Sequence, residues 1–259
     1  FLIGPPNKGL ECMFTFMNTA RIGTAIQGVA SAELSYQGAL PYALERRSMR
    51  ALSGKKEPNQ VADALIHHGD VRRMLLTQKA IAEGGRAMIY FAAQYADNMA
   101  VGITNGDKEI YDFWDDKLGF LTPIMKGFLT EMGLEAANLG MQVFGGHGFI
   151  AEHGMEQIAR DARISTLYEG TTGIQGLDLL GRKVLQTQGG MLKNFTKIVH
   201  KFCAANEGNA AMAEFVAPLA ALNKEWGDMT MKIGMKAMQN PDEVGAAAVD
   251  YMYYSGYVT

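Results

Sequence analysis

The chain has 259 residues, 48% hydrophobic and 20% charged, which describes a globular protein able to bury a substantial core. A net charge of -3 and a pI near 6.0 leave no electrostatic case for nucleic acid. Cys12 and Cys203 stand alone and far apart, which forms neither a disulfide framework nor a Cys-rich metal site and suits a reducing compartment. No apolar run reaches the roughly 18 residues of a membrane-spanning helix, and no charged-then-apolar signal segment opens the chain. The expectation is a cytoplasmic protein with no membrane or nucleic-acid partner.

The opening residues, Phe1 to Gly9, contain Gly-Pro-Pro-Asn and read as the last strand and turn of a preceding domain, so the chain is expected to be a fragment. From Leu10 to about Arg50, apolar residues recur at spacings of three and four among good helix formers, predicting one long helix. Ser53 to Asn59 collects turn formers and charge and reads as a surface loop. Helical periodicity resumes from Val71 to Asn98. A polar, Gly-bearing connection is expected over Asp97 to Asp107, and another helix from Tyr111 to about Val143, begun or kinked at Pro123.

Gly145-Gly146-His147-Gly148 then forms a glycine turn. A dinucleotide-binding glycine loop or a P-loop follows a strand, whereas these glycines follow a helix, so a Rossmann or nucleotide-triphosphate reading is weak. A short helix is expected over Gly154 to Thr166 and a longer one from Thr171 to Gln186, stopped at Gly189-Gly190. Three further helical stretches follow: Met191 to Ala205, Ala210 to Met238 and Asp242 to Tyr254. Met229, Met231, Met235 and Met238 in this tail read as packing filler. The predicted fold class is all-α, an antiparallel helical bundle over 10–189 with extra C-terminal helices over 190–259.

Chemistry concentrates in Leu167-Tyr168-Glu169-Gly170-Thr171-Thr172-Gly173-Ile174-Gln175. A lone carboxylate beside apolar residues can be desolvated and aimed as a base, although Glu169 equally suits a helix start where it complements the dipole. Gly170 lets a ligand approach the backbone closely. Thr171 and Thr172 fit either a plain N-cap or a polar ligand contact. The five histidines show no i, i+4 pair with a glutamate base, so no metal is assigned. Arg46 alone reads as solvated surface.

The run from Gln142-Val143-Phe144-Gly145-Gly146-His147-Gly148-Phe149 through Met155-Glu156-Gln157-Ile158-Ala159-Arg160-Asp161-Ala162-Arg163-Ile164 to Gln175, continuing to Gly181-Arg182, resembles the C-terminal signature of the acyl-CoA dehydrogenase family. A second resemblance lies at Tyr42-Ala43-Leu44-Glu45-Arg46-Arg47-Ser48, where these enzymes place a cofactor-binding arginine. The resemblance implies FAD as cofactor and an acyl-CoA substrate, with Glu169 as the base that takes the proton next to the thioester carbonyl. It implies that Arg46, Ser48, Gln142, Gly145 and Gly146 contact the flavin of a neighbouring subunit, that Thr171 and Gly173 contact flavin in the same motif, and that the protein is a homo-oligomer, dimer or tetramer. Tyr168, Gly170 and Arg21 are implied on the substrate side, Arg21 pairing with or orienting Glu169, although an ordinary salt bridge near the helix start suits it equally. Asp161 and Arg163 are expected to form local ion pairs before Glu169.

Two departures stand out. Gly173 lacks the family's usual glutamine-like side chain, and Met49-Arg50 replace an aromatic-glycine pair. The insertion over 50–71 and the tail after Gly189 resemble the longer bacterial branch that includes 3-methylmercaptopropionyl-CoA dehydrogenase, which raises a sulfur-containing or short acyl-CoA as one substrate. Electron-transfer flavoprotein is the implied electron acceptor. An acyl-CoA oxidase and a non-catalytic helical oligomerisation or interaction module stay open as alternatives.

Overall fold

The computed structural model describes residues 2–14 and 16–259; Phe1 and Thr15, which the sequence assigned to the opening strand and the first helix, lie outside the described residues. The order is α1 (Gly9–Phe14), α2 (Met17–Glu45), α3 (Gly69–Asn105), α4 (Lys108–Phe144), α5 (Gly146–Phe149), α6 (Met155–Ser165), α7 (Thr172–Leu177), α8 (Gly190–Ala205), α9 (Ala213–Ala237) and α10 (Asp242–Val258). A π-helix over Asp178–Leu185 continues α7. The all-α expectation holds: the described residues contain no strand, only one isolated bridge between Arg47 and Ala64. No helix among them is long and apolar enough to cross a membrane.

Several boundaries differ from the sequence reading. Residues 2–8 make a turn, with Lys8 N–H donating to Pro5 O, rather than the strand expected there; a strand needs a paired edge, and the described residues offer none. The helix expected from Leu10 to Arg50 is instead α1 and α2, and α2 ends at Glu45, where the Arg47–Ala64 bridge draws the chain away. The connection expected over 97–107 is mostly helix. Gly106, at φ 65, ends α3, with Asp107 N–H bonded to Gly102 O and Gly106 N–H to Ile103 O. Asp107 then caps α4 through its carboxylate and Ile110 N–H at 3.0 Å.

Pro123 lies inside α4 and does not begin it. Its ring nitrogen cannot donate to Gly119 O, and the Thr122 hydroxyl reaches that carbonyl at 3.5 Å instead. The helix expected over Thr171 to Gln186 is one turn and a half of α-helix followed by π-helix, with Gln186 N–H donating to Gly181 O and Gly189 N–H to Val184 O. Met231, Met235 and Met238 are 65%, 53% and 85% exposed rather than packed, because α9 turns Val216, Trp226 and Thr230 inward on another face.

The chain forms two compact units. One comprises Gly23–Ile89 and Leu129–Tyr168. There α2 and α4 meet backbone to backbone: a Cβ on Gly28 would stand 2.1 Å from Leu129 O, and one on Gly133 would stand 2.3 Å from Gly28 O. Ala32, Ala82 and Ala136 fill the next layer. The buried Ser35 hydroxyl, 2.9 Å from both Gln78 Oε1 and Ala136 O, ties three helices together.

The other unit comprises the residues up to Ile22, Tyr90–Phe128 and Glu169–Thr259. Phe120, Phe195 and Trp226 form an aromatic cluster in it. The last helix, α10, is seated through glycines: a Cβ on Gly127 would meet Met252 Sδ at 2.0 Å, and one on Gly176 would meet Ala248 O at 2.6 Å. Such contacts allow helix axes to approach closely and gain dispersion along their length.

Candidate active site and cofactor-binding pocket

Between α6 and α7 the chain makes two successive left-handed residues, Glu169 at φ 54 and Gly170 at φ 90. Glycine accepts this freely, but a residue with a Cβ is strained there and persists only when its surroundings hold it. Two side chains with 0% exposure supply the hold. Lys126 Nζ donates to Gly170 O at 2.6 Å, and Gln175 Nε2 donates to Glu169 O at 3.0 Å and to Gly170 O at 3.4 Å. Thr171 caps α7, its hydroxyl accepting Ile174 N–H at 3.4 Å. Glu169 is half-buried on this turn, a placement that suits a carboxylate acting as a base.

In the same unit Arg21 is buried and its Nη1 donates to Asp178 Oδ2 at 2.6 Å. Asp178 opens the π-helix and also faces Arg182 Nη1 at 3.6 Å. The sequence leaves Arg21 open between a role with Glu169 and an ordinary salt bridge near the helix start; the buried carboxylate at hydrogen-bond distance from it is that of Asp178. Gly173 is in open surroundings, where a Cβ would meet only Thr171 Oγ1 at 4.0 Å.

The unit made of Gly23–Ile89 and Leu129–Tyr168 holds a cavity of about 460 Å³ lined by Arg46, Ser48, Gln142, Gly145 and Gly146, together with Tyr42 and His147. The two parts of the sequence where the resemblance places cofactor contacts, nearly a hundred residues apart, thus converge on one space. Three arginines enter this region, and two are engaged. Arg47 pairs with Glu57 at 2.8 Å and Arg50 with Asp63 at 3.2 Å. Arg46 is exposed on the cavity and, among the described residues, has no ion pair.

The loop that carries Ser48 is organised by Asp63, whose carboxylate has no exposure. It accepts N–H groups of Ala51, Lys56 and Glu57 and the Arg50 guanidinium. These donors, the Ala51 N–H first, hold the Asp63 carboxyl well below the usual carboxylate range against the opposing effect of burial. The Ser48 N–H bonds to Asp63 O, which sets Ser48 at the cavity rim. On the far wall Tyr42 stacks on Phe144 at 3.9 Å between centroids, and its hydroxyl lies 2.8 Å from His147 Nδ1. An exposed guanidinium, a hydroxyl, an amide and two glycines around a concave space have the chemistry that suits a polar, phosphate-bearing ligand.

The sequence candidates therefore fall into two groups. Arg46, Ser48, Gln142, Gly145 and Gly146 share the cavity, and Glu169, Gly170, Thr171 and Gly173 share the turn and the start of α7. Tyr168 ends its unit with its hydroxyl donating to Gln27 Oε1 at 2.7 Å. The ion pairs expected of Asp161 and Arg163 are corrected: Asp161 accepts from Gln157, and Arg163 donates to the Thr166 hydroxyl, closing the C-terminus of α6. Lys126, Asp178 and Asp63 escaped the sequence reading, and Gln175 was given no role in it. Lys126 had a signal: it is one lysine in the apolar run from Leu118 to Leu129.

Residues 7–185 match the acyl-CoA dehydrogenase C-terminal domain, and residues 195–259 match the region described as acetyl-CoA dehydrogenase C-terminal like. The 3-methylmercaptopropionyl-CoA dehydrogenase of Ruegeria pomeroyi is 39% identical over 99% of this chain and 42% of that protein. The broad-specificity linear acyl-CoA dehydrogenase of Mycobacterium tuberculosis is 32% identical over 85% of the chain and 36% of its own length. The acyl-CoA dehydrogenase of Bacillus anthracis, complexed with FAD, shares the fold with a TM-score of 0.76 at 18% identity, over 97% of this chain and 42% of that one. The chain thus spans 36% to 42% of the length of these proteins. It belongs to the acyl-CoA dehydrogenase family, and the match falls on that family's C-terminal domain.

Proposed function

We propose that the chain is the C-terminal part of an FAD-dependent acyl-CoA dehydrogenase that oxidises an acyl-CoA thioester to the 2,3-enoyl-CoA. The observation that carries this reading is the convergence of Arg46, Ser48, Gln142, Gly145 and Gly146 on one cavity, with Arg46 in no ion pair among the described residues while Arg47 and Arg50 are paired. These residues fit FAD: the guanidinium suits pyrophosphate oxygens and the exposed glycine backbone admits close approach. When bound, FAD supplies the hydride acceptor. In this reading Glu169 takes the proton from the carbon next to the thioester carbonyl, Gly170 lets the acyl group approach the backbone, and Thr171 and Gly173 lie beside the flavin. Tyr168 and Arg21 belong to the substrate side, Arg21 through its pairing with Asp178 at the foot of α7.

The family resemblance adds that Arg46 and the Gly145-Gly146 turn serve the flavin of a neighbouring subunit, so the working enzyme is a homo-oligomer. A short or sulfur-containing acyl chain is the favoured substrate, supported by the Ruegeria pomeroyi relative. Electron-transfer flavoprotein is the proposed acceptor and the cytoplasm the proposed location, which two cysteines outside any disulfide suit.

Anaerobic flavin bleaching of the full-length parent protein by a panel of short acyl-CoAs, wild type against Glu169→Gln, tests the reading. Bleaching by the wild type and none by a mutant that still carries flavin supports Glu169 as the base. Absence of flavin from both proteins refutes the enzyme reading.

A further inference from the structure

We propose that Lys126 and Gln175 are positioning residues for the base: from inside the core they grip the two carbonyls that follow the Glu169 side chain and so fix where its carboxylate points. The inference rests on the reading of Glu169 as the base. Its own ground is geometric. The Glu169 Cα–Cβ direction is set by a backbone at φ 54, followed by Gly170 at φ 90, and no local preference of a glutamate selects that conformation. What selects it is the pair of buried donors, Lys126 Nζ on Gly170 O at 2.6 Å and Gln175 Nε2 on Glu169 O at 3.0 Å.

Both side chains are costly choices for a core. Lys126 has no exposure although its side chain ends in a basic amine, and burying such a group is unfavourable unless its N–H donors are satisfied. Gln175 spends its NH2 on the turn while its Oε1, buried, has no partner among the described residues. Turning that amide over would set an oxygen against two carbonyl oxygens, so the turn dictates its orientation. Gly170 completes the arrangement: a Cβ there would stand 2.5 Å from Gln175 Nε2. Polar groups buried at a cost and aimed at one backbone turn are expected where proton transfer needs geometry held within a fraction of an ångström.

The test uses the full-length parent protein with Lys126→Met, Lys126→Gln and Gln175→Leu beside Glu169→Gln, with anaerobic bleaching by butyryl-CoA as readout. Flavin content and butyryl-CoA affinity are expected to stay within about threefold of wild type in Lys126→Met, while the bleaching rate falls about 100-fold. Lys126→Gln, which keeps a donor, should fall between. In the chain itself, amide exchange over 170–174 should quicken about tenfold in Lys126→Met, with α8 to α10 unchanged. If Lys126→Met does not fold, Lys126→Gln and Gln175→Leu carry the same comparison. A dead Glu169→Gln beside folded Lys126 and Gln175 variants that bleach within about threefold of wild type overturns the positioning role alone. So does a rate loss that merely tracks lost flavin or weakened binding. Undiminished bleaching by Glu169→Gln overturns both readings.

Discussion

Arg21 and Asp178, 157 residues apart in sequence, meet at 2.6 Å with side chains 8% and 6% exposed. The pair joins the start of α2 to the first residue of the π-helix, directly after α7. Removing Asp178 leaves the buried Arg21 charge without its counterion, and removing Arg21 leaves Asp178 only the longer contact to the exposed Arg182, changes that cost about 3–5 kcal/mol. Arg21→Met and Asp178→Leu should each lower unfolding free energy by that order in denaturant titration, and the double variant should recover much of the loss. Single variants that unfold within about 1 kcal/mol of wild type would sink this account.

Arg46 provides the matching test in the other unit. Its guanidinium stands exposed on the cavity with no ion pair among the described residues, so truncating it should leave folding intact and act on ligand binding. In the full-length protein Arg46→Ala should weaken FAD about 10- to 100-fold, the worth of one or two charge-assisted hydrogen bonds. Arg73→Ala, which removes an exposed pair with Asp70, should leave FAD affinity unchanged. Equal losses from both variants would mean that the effect is net charge rather than a pocket.

The residues that announce themselves in the sequence are those whose chemistry is local. The Tyr168-Glu169-Gly170 turn, the Gly145-Gly146 pair and Arg46 drew notice because each lies in a short run that resembles a family signature, while Arg46 by itself read as surface. Helix existence was legible because periodicity is local. What the sequence did not disclose depends on distant partners. Lys126 faces a carbonyl 44 residues away, and Asp178 takes an arginine 157 residues away. α2 stops at Glu45 because of a bridge to Ala64, where the local sequence offers neither glycine nor proline to stop it. The extra backbone turn of the π-helix likewise has no local signature.

The C-terminal helix makes a prediction of its own. Gly176 lies in α7, one residue after Gln175, and a Cβ there would stand 2.6 Å from Ala248 O in α10. That obstacle is backbone, so a larger residue must push the helices apart. Gly176→Val should destabilise the chain by about 1–3 kcal/mol, whereas Gly181→Val, where nothing lies within 4 Å of a Cβ, should be about neutral, since valine ranks no worse than glycine in a helix. Thermal melts of the two variants decide it. Equal melting temperatures would remove α10 as the support behind α7.

The last prediction concerns acid. Asp63 holds the loop of Ser48 through four donors that prefer its charged form, so its carboxyl titrates well below the ordinary value. A depressed folded pKa means that its contribution is complete above the unfolded value of about 3.9 and drains away as pH falls through the folded one. The loop should therefore be as firm at pH 5 as at pH 7, then loosen progressively below about pH 4. Amide exchange or limited proteolysis over 47–63 reads this directly, and Asp63→Asn should already be loose at pH 7, because an amide cannot accept from all of those donors. A loop whose protection already falls between pH 7 and 5 in the wild type would rule out Asp63 as the group in control.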